Sequence, residues 1–251
     1  MLKADKDYLT EDVVFECQPF VHHIYDRFKG QVCDHCLAKS DRLKKCANCG
    51  HMYYCNRNCQ LNDWRSGHRY ECQIFKNHYQ KLLDEDNLAI PLTRLYLIIK
   101  ADPHIVNKKY NTVDGHQLCF NDLQSHCHEI SKDWLKMGVM TLISDAMKSC
   151  GIKVSKDYFR HLFGKFIVNY YELTYTNGMN QSTAPEKCGT GLFIGATALH
   201  HSCAYNVSVD TFVGNRLQVT ARYLIRDGEV LTTYYVNPFN TKWFFITKGD
   251  I

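Results

Sequence analysis

The chain has 251 residues, 45% of them hydrophobic, and a formal net charge of +4. That composition excludes a disordered chain and allows a sizeable core in one to three domains. The charge is too weak to announce nucleic acid, no apolar run approaches the roughly 18 residues of a membrane span, and residues 1–20 carry charges throughout with no apolar signal segment.

Residues 12–21 predict a short strand ended by Pro19, and His22-His23 reads as a solvated pair. Four regular pairs follow: Cys33-x2-Cys36, Cys46-x2-Cys49, Cys55-x3-Cys59 and His68-x3-Cys72. Zinc takes four such ligands in a tetrahedron, so eight make two closed structural sites. Two intervening residues suit a tight turn whose thiolates point at one metal. Three place the ligands at i and i+4, on one face of a helix. Each zinc then takes one turn pair and one helical pair, and spacing alone leaves open which goes with which. The regular pairing argues against disulfides or unrelated buried cysteines. His35 and His51 have no spacing partner and read as exposed loop residues. Thiolate ligands in a chain of thirteen cysteines with no secretory signal indicate a reducing compartment, nucleus or cytoplasm.

This stretch resembles the MYND zinc finger through CDHC, CANC, YYCNRNCQ, DWRSGH and RYEC. The resemblance implies an interleaved arrangement. Cys33, Cys36, Cys55 and Cys59 would hold one zinc, and Cys46, Cys49, His68 and Cys72 the other. Seven lysines and arginines of the stretch face four acids. With seven thiolates and two dications the loaded finger is near neutral, which disfavours a grip on phosphates.

The second half of the finger predicts a helix from Tyr54 to about Cys72, running on through Ile74, Phe75, Tyr79, Leu82 and Leu83. Residues 84–87 break it. Pro91 opens another helix, with Leu92, Leu95, Tyr96, Ile98 and Ile99 on its apolar side. Residues 103–124 show no period and read as a surface connection. Ser131 to Cys150 predicts a helix burying Trp134, Leu135, Val139, Leu142, Ile143, Ala146 and Met147, with Gly151 as its cap. His126-Cys127-His128 has no second pair nearby to complete a metal site. A short helix carries Tyr158, Phe159, Leu162 and Phe163. From Gly164 the pattern turns to strands: Phe166–Leu173, residues 189–195, a hairpin about Gly214-Asn215, a turn at Asp227-Gly228, and Val230–Val236.

Four pieces of this half belong together. They are Asn169-Tyr170-Tyr171, Gly189 to Phe193, His200-His201-Ser202-Cys203 with Asn206, and Gly228 to Tyr235. In this order, behind such a finger, they resemble the SET domain of the SET-and-MYND family of protein lysine methyltransferases, over about residues 12–236. The resemblance implies an α+β protein: a β-clip SET fold with an inserted MYND double-zinc finger and a helical middle segment. The expected boundaries are 1–32 for the amino-terminal part of the SET region, 33–72 for the finger, 73–163 for the helical insert and 164–251 for the carboxyl half of the SET core. It implies S-adenosylmethionine as methyl donor, with His200, His201 and Tyr235 at the cofactor, Tyr235 also catalytic, and Tyr171 walling the lysine channel. Cys203 would be one ligand of a third zinc. Implied partners are protein lysine tails, histone or other, and a proline-rich peptide at the finger, in nucleus and cytoplasm.

Three departures from the family pattern accompany the match. Residues 1–11 lack the family's Gly-x-Gly cofactor strand, His200 stands where the family has asparagine, and no cysteine follows Cys203. They lead to the expectation of a chain truncated or divergent at both ends of the SET region. They also keep open an alternative function, a catalytically inactive zinc-finger adaptor for proline-rich peptides of transcriptional or chromatin partners.

Overall fold

The computed structural model describes residues 1–175, 186–213 and 215–234. Short strands and medium helices alternate, which is the α+β class expected. Strands β1 (Val13–Cys17) and β2 (Val21–Ile24) are separate elements. Pro19 ends the first, and the chain re-enters a different sheet at Val21. The finger contributes a small hairpin, β3 (Lys44–Lys45) with β4 (Tyr53–Tyr54), and helices α1 (Arg57–Asp63) and α2 (Arg69–His78). A wide turn, Trp64–His68, separates the two helices. A Cβ on Gly67 in that turn would lie 2.7 Å from Ile98 Cδ1, so any side chain there would make Ile98 shift.

Helix α3 (Ala89–Ala101) runs through the centre. Asp84 starts it: its carboxylate accepts from the backbone N–H groups of Leu88 and Ala89 at 3.1 and 2.7 Å. Pro91 sits in the first turn. The helix is buried nearly all round, Thr93 and Arg94 included.

Residues 103–124 are structured rather than a plain surface connection. They form a hairpin, β5 (Tyr110–Asn111) with β6 (Gln117–Leu118), and Phe120 stacks on Phe20 with ring centroids 5.2 Å apart. Burial of one aromatic anchors a segment whose other residues show no period.

Helices α5 (Trp134–Ser149) and α6 (Lys156–Ile167) pack beside α3, and α4 (Cys127–Lys132) packs on α5 and α6. Gly151 closes α5 with φ +81°, as a left-handed cap should. The expected buried face of α5 needs correcting: Trp134 is 84% and Leu142 72% exposed, and Leu135 is exposed too. The face turned inward is Lys136, Met140, Ile143, Ser144 and Met147. Lys136 is accommodated because its ammonium reaches Asp133 Oδ2 at 2.5 Å.

The change of character falls later than Gly164, which lies inside α6. A Cβ there would meet the Ser125 carbonyl oxygen at 2.1 Å. The glycine serves close helix–backbone approach, not punctuation.

Strands β7 (Tyr170–Tyr175), β8 (Glu186–Leu192), β9 (His200–His201), β10 (Val207–Val213), β11 (Arg216–Ala221) and β12 (Thr232–Thr233) complete the described chain. One antiparallel sheet has the order β2-β8-β7 and another β1-β11-β10, while β12 pairs with β9 in parallel. Val213 pairs with Arg216 in antiparallel β10 and β11, and Gly214 of the expected turn lies outside the described residues. The main core joins α2, α3, α5 and α6 through Phe75, Leu95, Ile98, Ile143, Phe159 and Phe163, so the finger's second helix shares a core with the body.

The paired histidines of β2 are buried, at 6% for His22 and 3% for His23. They lie under α3 and beside β8, so strand register overrides their polarity. Burial pushes His22 down to about 4, with the Arg94 charge adding to it. Burial likewise drives His23 well down, helped by Lys29. Nor are His35 and His51 plain exposed loop residues. Both are half-buried, and His51 stacks on Tyr79 at 4.0 Å.

Candidate functional site

Two sets of ligand atoms converge in the finger. Cys33, Cys36, Cys55 and Cys59 form one group, and Cys46, Cys49, His68 and Cys72 the other; within each, the ligand atoms all lie within 4.8 Å of one another. The grouping is interleaved along the chain. Local structure explains each member. Cys46 and Cys49 stand on a turn closed by Gly50 N–H to the Cys46 carbonyl at 2.9 Å, with Gly50 at φ +76°. Asn56 caps α1 by accepting from Cys59 N–H at 3.0 Å, which sets the Cys55/Cys59 pair. His68 and Cys72 are one helical turn apart at the start of α2.

The donor set fits zinc. Tetrahedral zinc with Zn–S near 2.3 Å separates its sulfurs by about 3.8 Å. Cys46 and Cys72 Sγ are 3.8 Å apart, Cys36 and Cys55 Sγ 3.6 Å, and Cys49 Sγ lies 3.6 Å from His68 Nε2. His68 thus aims Nε2 at the ligand cluster while Nδ1 faces Glu71 Oε1 at 3.1 Å. A carboxylate behind a ligating imidazole fixes its tautomer and ring orientation.

Behind that carboxylate lies a group that the sequence did not single out. Arg94 of α3 donates through Nε to both Glu71 oxygens, at 2.9 and 3.0 Å, and through Nη2 to Oε1. Its Nη1 donates to Asp63 Oδ1 at 3.1 Å and to the His22 carbonyl at 3.2 Å. Tyr54 donates to Asp63 Oδ2 at 2.7 Å. Burial works to raise the Glu71 and Asp63 carboxyls, but the guanidinium overcomes it and holds both below the usual range. A charged residue on an otherwise apolar helix was the only available signal.

A second feature lies on the body. A cavity of about 500 Å³ is lined by Thr112, Leu118, Leu123, His126, Asn169 and His200, among others. Asn169 is 4% exposed, and its amide donates to the carbonyls of Gln124 and Lys165 at 3.1 and 2.8 Å. Its Oδ1 is buried with no hydrogen-bond partner. Asn169 is thus a fixed amide at the cavity wall, with Oδ1 itself closed off from solvent.

Of the other expected site residues, His201 and Tyr171 are not among those that line this cavity. His200 lines the cavity. His201 packs on Tyr234 with ring centroids 5.4 Å apart, and its Nε2 is 3.7 Å from the exposed Cys203 thiol. Tyr171 is half-buried, donates from its hydroxyl to the Ala196 carbonyl at 2.9 Å, and meets the Phe193 ring edge-on at 6.2 Å. Asn206 ties the segment together. Its amide donates to Glu229 Oε1 and the Val230 carbonyl at 3.0 and 2.9 Å, and its Oδ1 accepts from Thr232 N–H at 2.8 Å. Tyr235 lies outside the described residues. The thiol of Cys127 sits 3.2 Å from His161 Nδ1, a residue of α6 that the spacing argument could not bring to it.

Comparison with known proteins agrees with this geometry. The MYND finger family model matches residues 33–72. Human histone-lysine N-methyltransferase SMYD1 is 24% identical over 95% of this chain and 48% of its own length. Human histone-lysine N-methyltransferase SMYD3 is 26% identical over 96% of this chain and 53% of its own, and Xenopus laevis N-lysine methyltransferase SMYD2-A is 24% identical over 94% and 52%. The chain therefore spans about half the length of the curated relatives it matches. The chain is thus similar to SET-and-MYND proteins through both the finger and the body, on an α+β frame with two Cys/His clusters.

Proposed function

We propose that the chain is an S-adenosylmethionine-dependent protein-lysine N-methyltransferase of histone or other protein tails, present in nucleus and cytoplasm. The observation that carries this reading is the cavity beside His200, with Asn169 among its lining residues. Asn169 and His200 would hold the cofactor there, with His201 close by. When bound, S-adenosylmethionine supplies an activated methyl group next to a sulfonium charge.

The protein's own part is to position and desolvate. The lysine amine must arrive neutral, and an apolar channel lowers its pKa. Tyr171 would form one wall of that channel, its ring fixed by Phe193 and its hydroxyl by Ala196. An aromatic wall also tolerates a methylated ammonium through cation–π attraction. Tyr235 would orient the amine.

In the same proposal the two Cys/His groups hold two structural zinc ions, and residues 1–32 and 164–251 make the SET core around a finger at 33–72 and an insert at 73–163. The finger would dock a proline-rich peptide. Exposed Trp64, edge-on to His68 with ring centroids 5.9 Å apart, and exposed Leu61 of α1 supply an apolar footing for it.

The test is methyl transfer to lysine-tail peptides by zinc-loaded protein and by Tyr235→Phe. Wild-type turnover with a loss on the order of 10²-fold in the variant, at unchanged folding, supports the reading. Absence of transfer together with retained peptide binding by the finger favours the adaptor role.

A further inference from the structure

Arg94 is 3% exposed and belongs to α3, outside the finger. Both of its counter-charges come from within the finger. Asp63 falls between Cys59 and His68 in the chain, and Glu71 between His68 and Cys72. Its remaining acceptor, the His22 carbonyl, is on β2. There His22 pairs with Gly191 of β8, and Gly191 pairs in turn with Tyr171 of β7. One guanidinium therefore spans the metal-binding helices and the sheet that carries Tyr171.

A finger built from thiolate and imidazole donors folds on its metal, because its metal-binding energy is its folding energy. Without metal, α1 and the first turn of α2 lose the ligand bonds that fix Asp63 and Glu71, while Phe75 keeps the rest of α2 in the main core. Arg94 would then remain in the core of α3 with a carbonyl and no counter-charge. A buried charge that has lost its partner is strongly destabilising, whereas replacing the whole group with neutral residues is tolerated. The strained region would be the one packed on Arg94: α3 and β2, then β8 through its register with β2.

We propose that Arg94 is a positioning residue that makes metal occupancy of the Cys46/Cys49/His68/Cys72 cluster a condition for order in the β2-β8-β7 sheet. The finger is then not a separable module. Release of its metal is transmitted to the body as an uncompensated buried cation. Lysine substitutes only in part, since an ammonium lacks the planar fork that reaches two carboxylates and a carbonyl at once.

The test is hydrogen exchange read by mass spectrometry on the full zinc-loaded chain, with and without EDTA. In wild type, chelation raises exchange in peptides covering 21–24 and 186–192 on the order of tenfold or more. The neutral variant Asp63→Asn/Glu71→Gln/Arg94→Met, checked for two bound zinc ions, shows a much smaller rise, because no cation is stranded. Zinc release to a chromophoric chelator gives a second readout. It is faster on the order of tenfold in Arg94→Met, which leaves two carboxylates unpaired in the loaded finger, and Arg94→Lys restores it only in part. The inference is overturned if chelation leaves 21–24 and 186–192 unchanged in wild type. It is equally overturned if the neutral variant responds as wild type does, since coupling would then run through packing alone. If the neutral variant fails to load zinc, the release rates decide, and equal rates in wild type and Arg94→Met overturn it.

Discussion

The Tyr54 hydroxyl donates to Asp63 Oδ2 at 2.7 Å, in a place from which both residues exclude water. Asp63 gives its other oxygen to Arg94. Tyr54→Phe keeps the ring in its packing and leaves one lone pair of a buried carboxylate unused. Hydrogen bonds to charged groups are worth roughly 1.5–3 kcal/mol. Urea unfolding of the zinc-loaded protein should show a loss of about that size. An unchanged midpoint would mean that water replaces the hydroxyl.

Asn206 is 4% exposed and joins Glu229, Val230 and Thr232 to the segment after β9. Asn206→Leu removes these bonds, and that from Thr232 Oγ1 at 3.4 Å, and strands the Thr232 N–H and the Val230 carbonyl. The expected cost is about 2–4 kcal/mol, as for buried polar groups left without partners. Denaturant unfolding measures it, and exchange at Thr232 and Thr233 should rise with it.

Acid should act through β2. An imidazole titrates near 6.5 in the unfolded chain, while burial holds His22 down to about 4 and His23 well below its ordinary value. Between those limits the unfolded chain binds more protons than the folded one. The stability these neutral rings contribute is therefore complete above about pH 6.5 and is lost as pH falls toward 4. His23→Leu should lose less stability than wild type between pH 6.5 and 5, measured at equal zinc. A parallel fall in both proteins would assign the acid sensitivity elsewhere.

The finger was legible because ligand spacing is local. Two-residue and three-residue gaps carry their geometry with them, and the structure groups the eight ligands into two compact sets. Arg94 was not legible. Its partners lie 23 and 31 residues earlier in the chain, and nothing local marks a charge on an apolar helix as buried. Helix α5 misled for the opposite reason. Apolar residues occur on several of its sides, so period alone picked Trp134 and Leu142, which the packing leaves exposed. The two histidines of β2 looked solvated by type, and only pairing with β8 under α3 buries them.

Gly164 illustrates the same limit and yields a prediction. It reads as a break, yet it sits within α6 against the Ser125 carbonyl. Gly164→Ala should destabilise despite alanine's better helix propensity. A Cβ at 2.1 Å from that oxygen forces apart α6 and the 123–126 segment, which walls the cavity. Overpacking of this kind typically costs about 1–3 kcal/mol. A rise in thermal midpoint would contradict the close approach.

A cofactor pocket at the cavity beside His200 requires measurable affinity for S-adenosylmethionine. Calorimetric titration of S-adenosylmethionine into zinc-loaded protein tests it most directly, in wild type and in Asn169→Leu. Wild type should bind. The variant should bind at least about tenfold more weakly, since a buried hydrogen bond to a charged group is worth more than 1.4 kcal/mol, with folding confirmed by its unfolding curve. No heat at millimolar cofactor in folded, zinc-loaded wild type, or equal affinity in the two proteins, would contradict a cofactor pocket there.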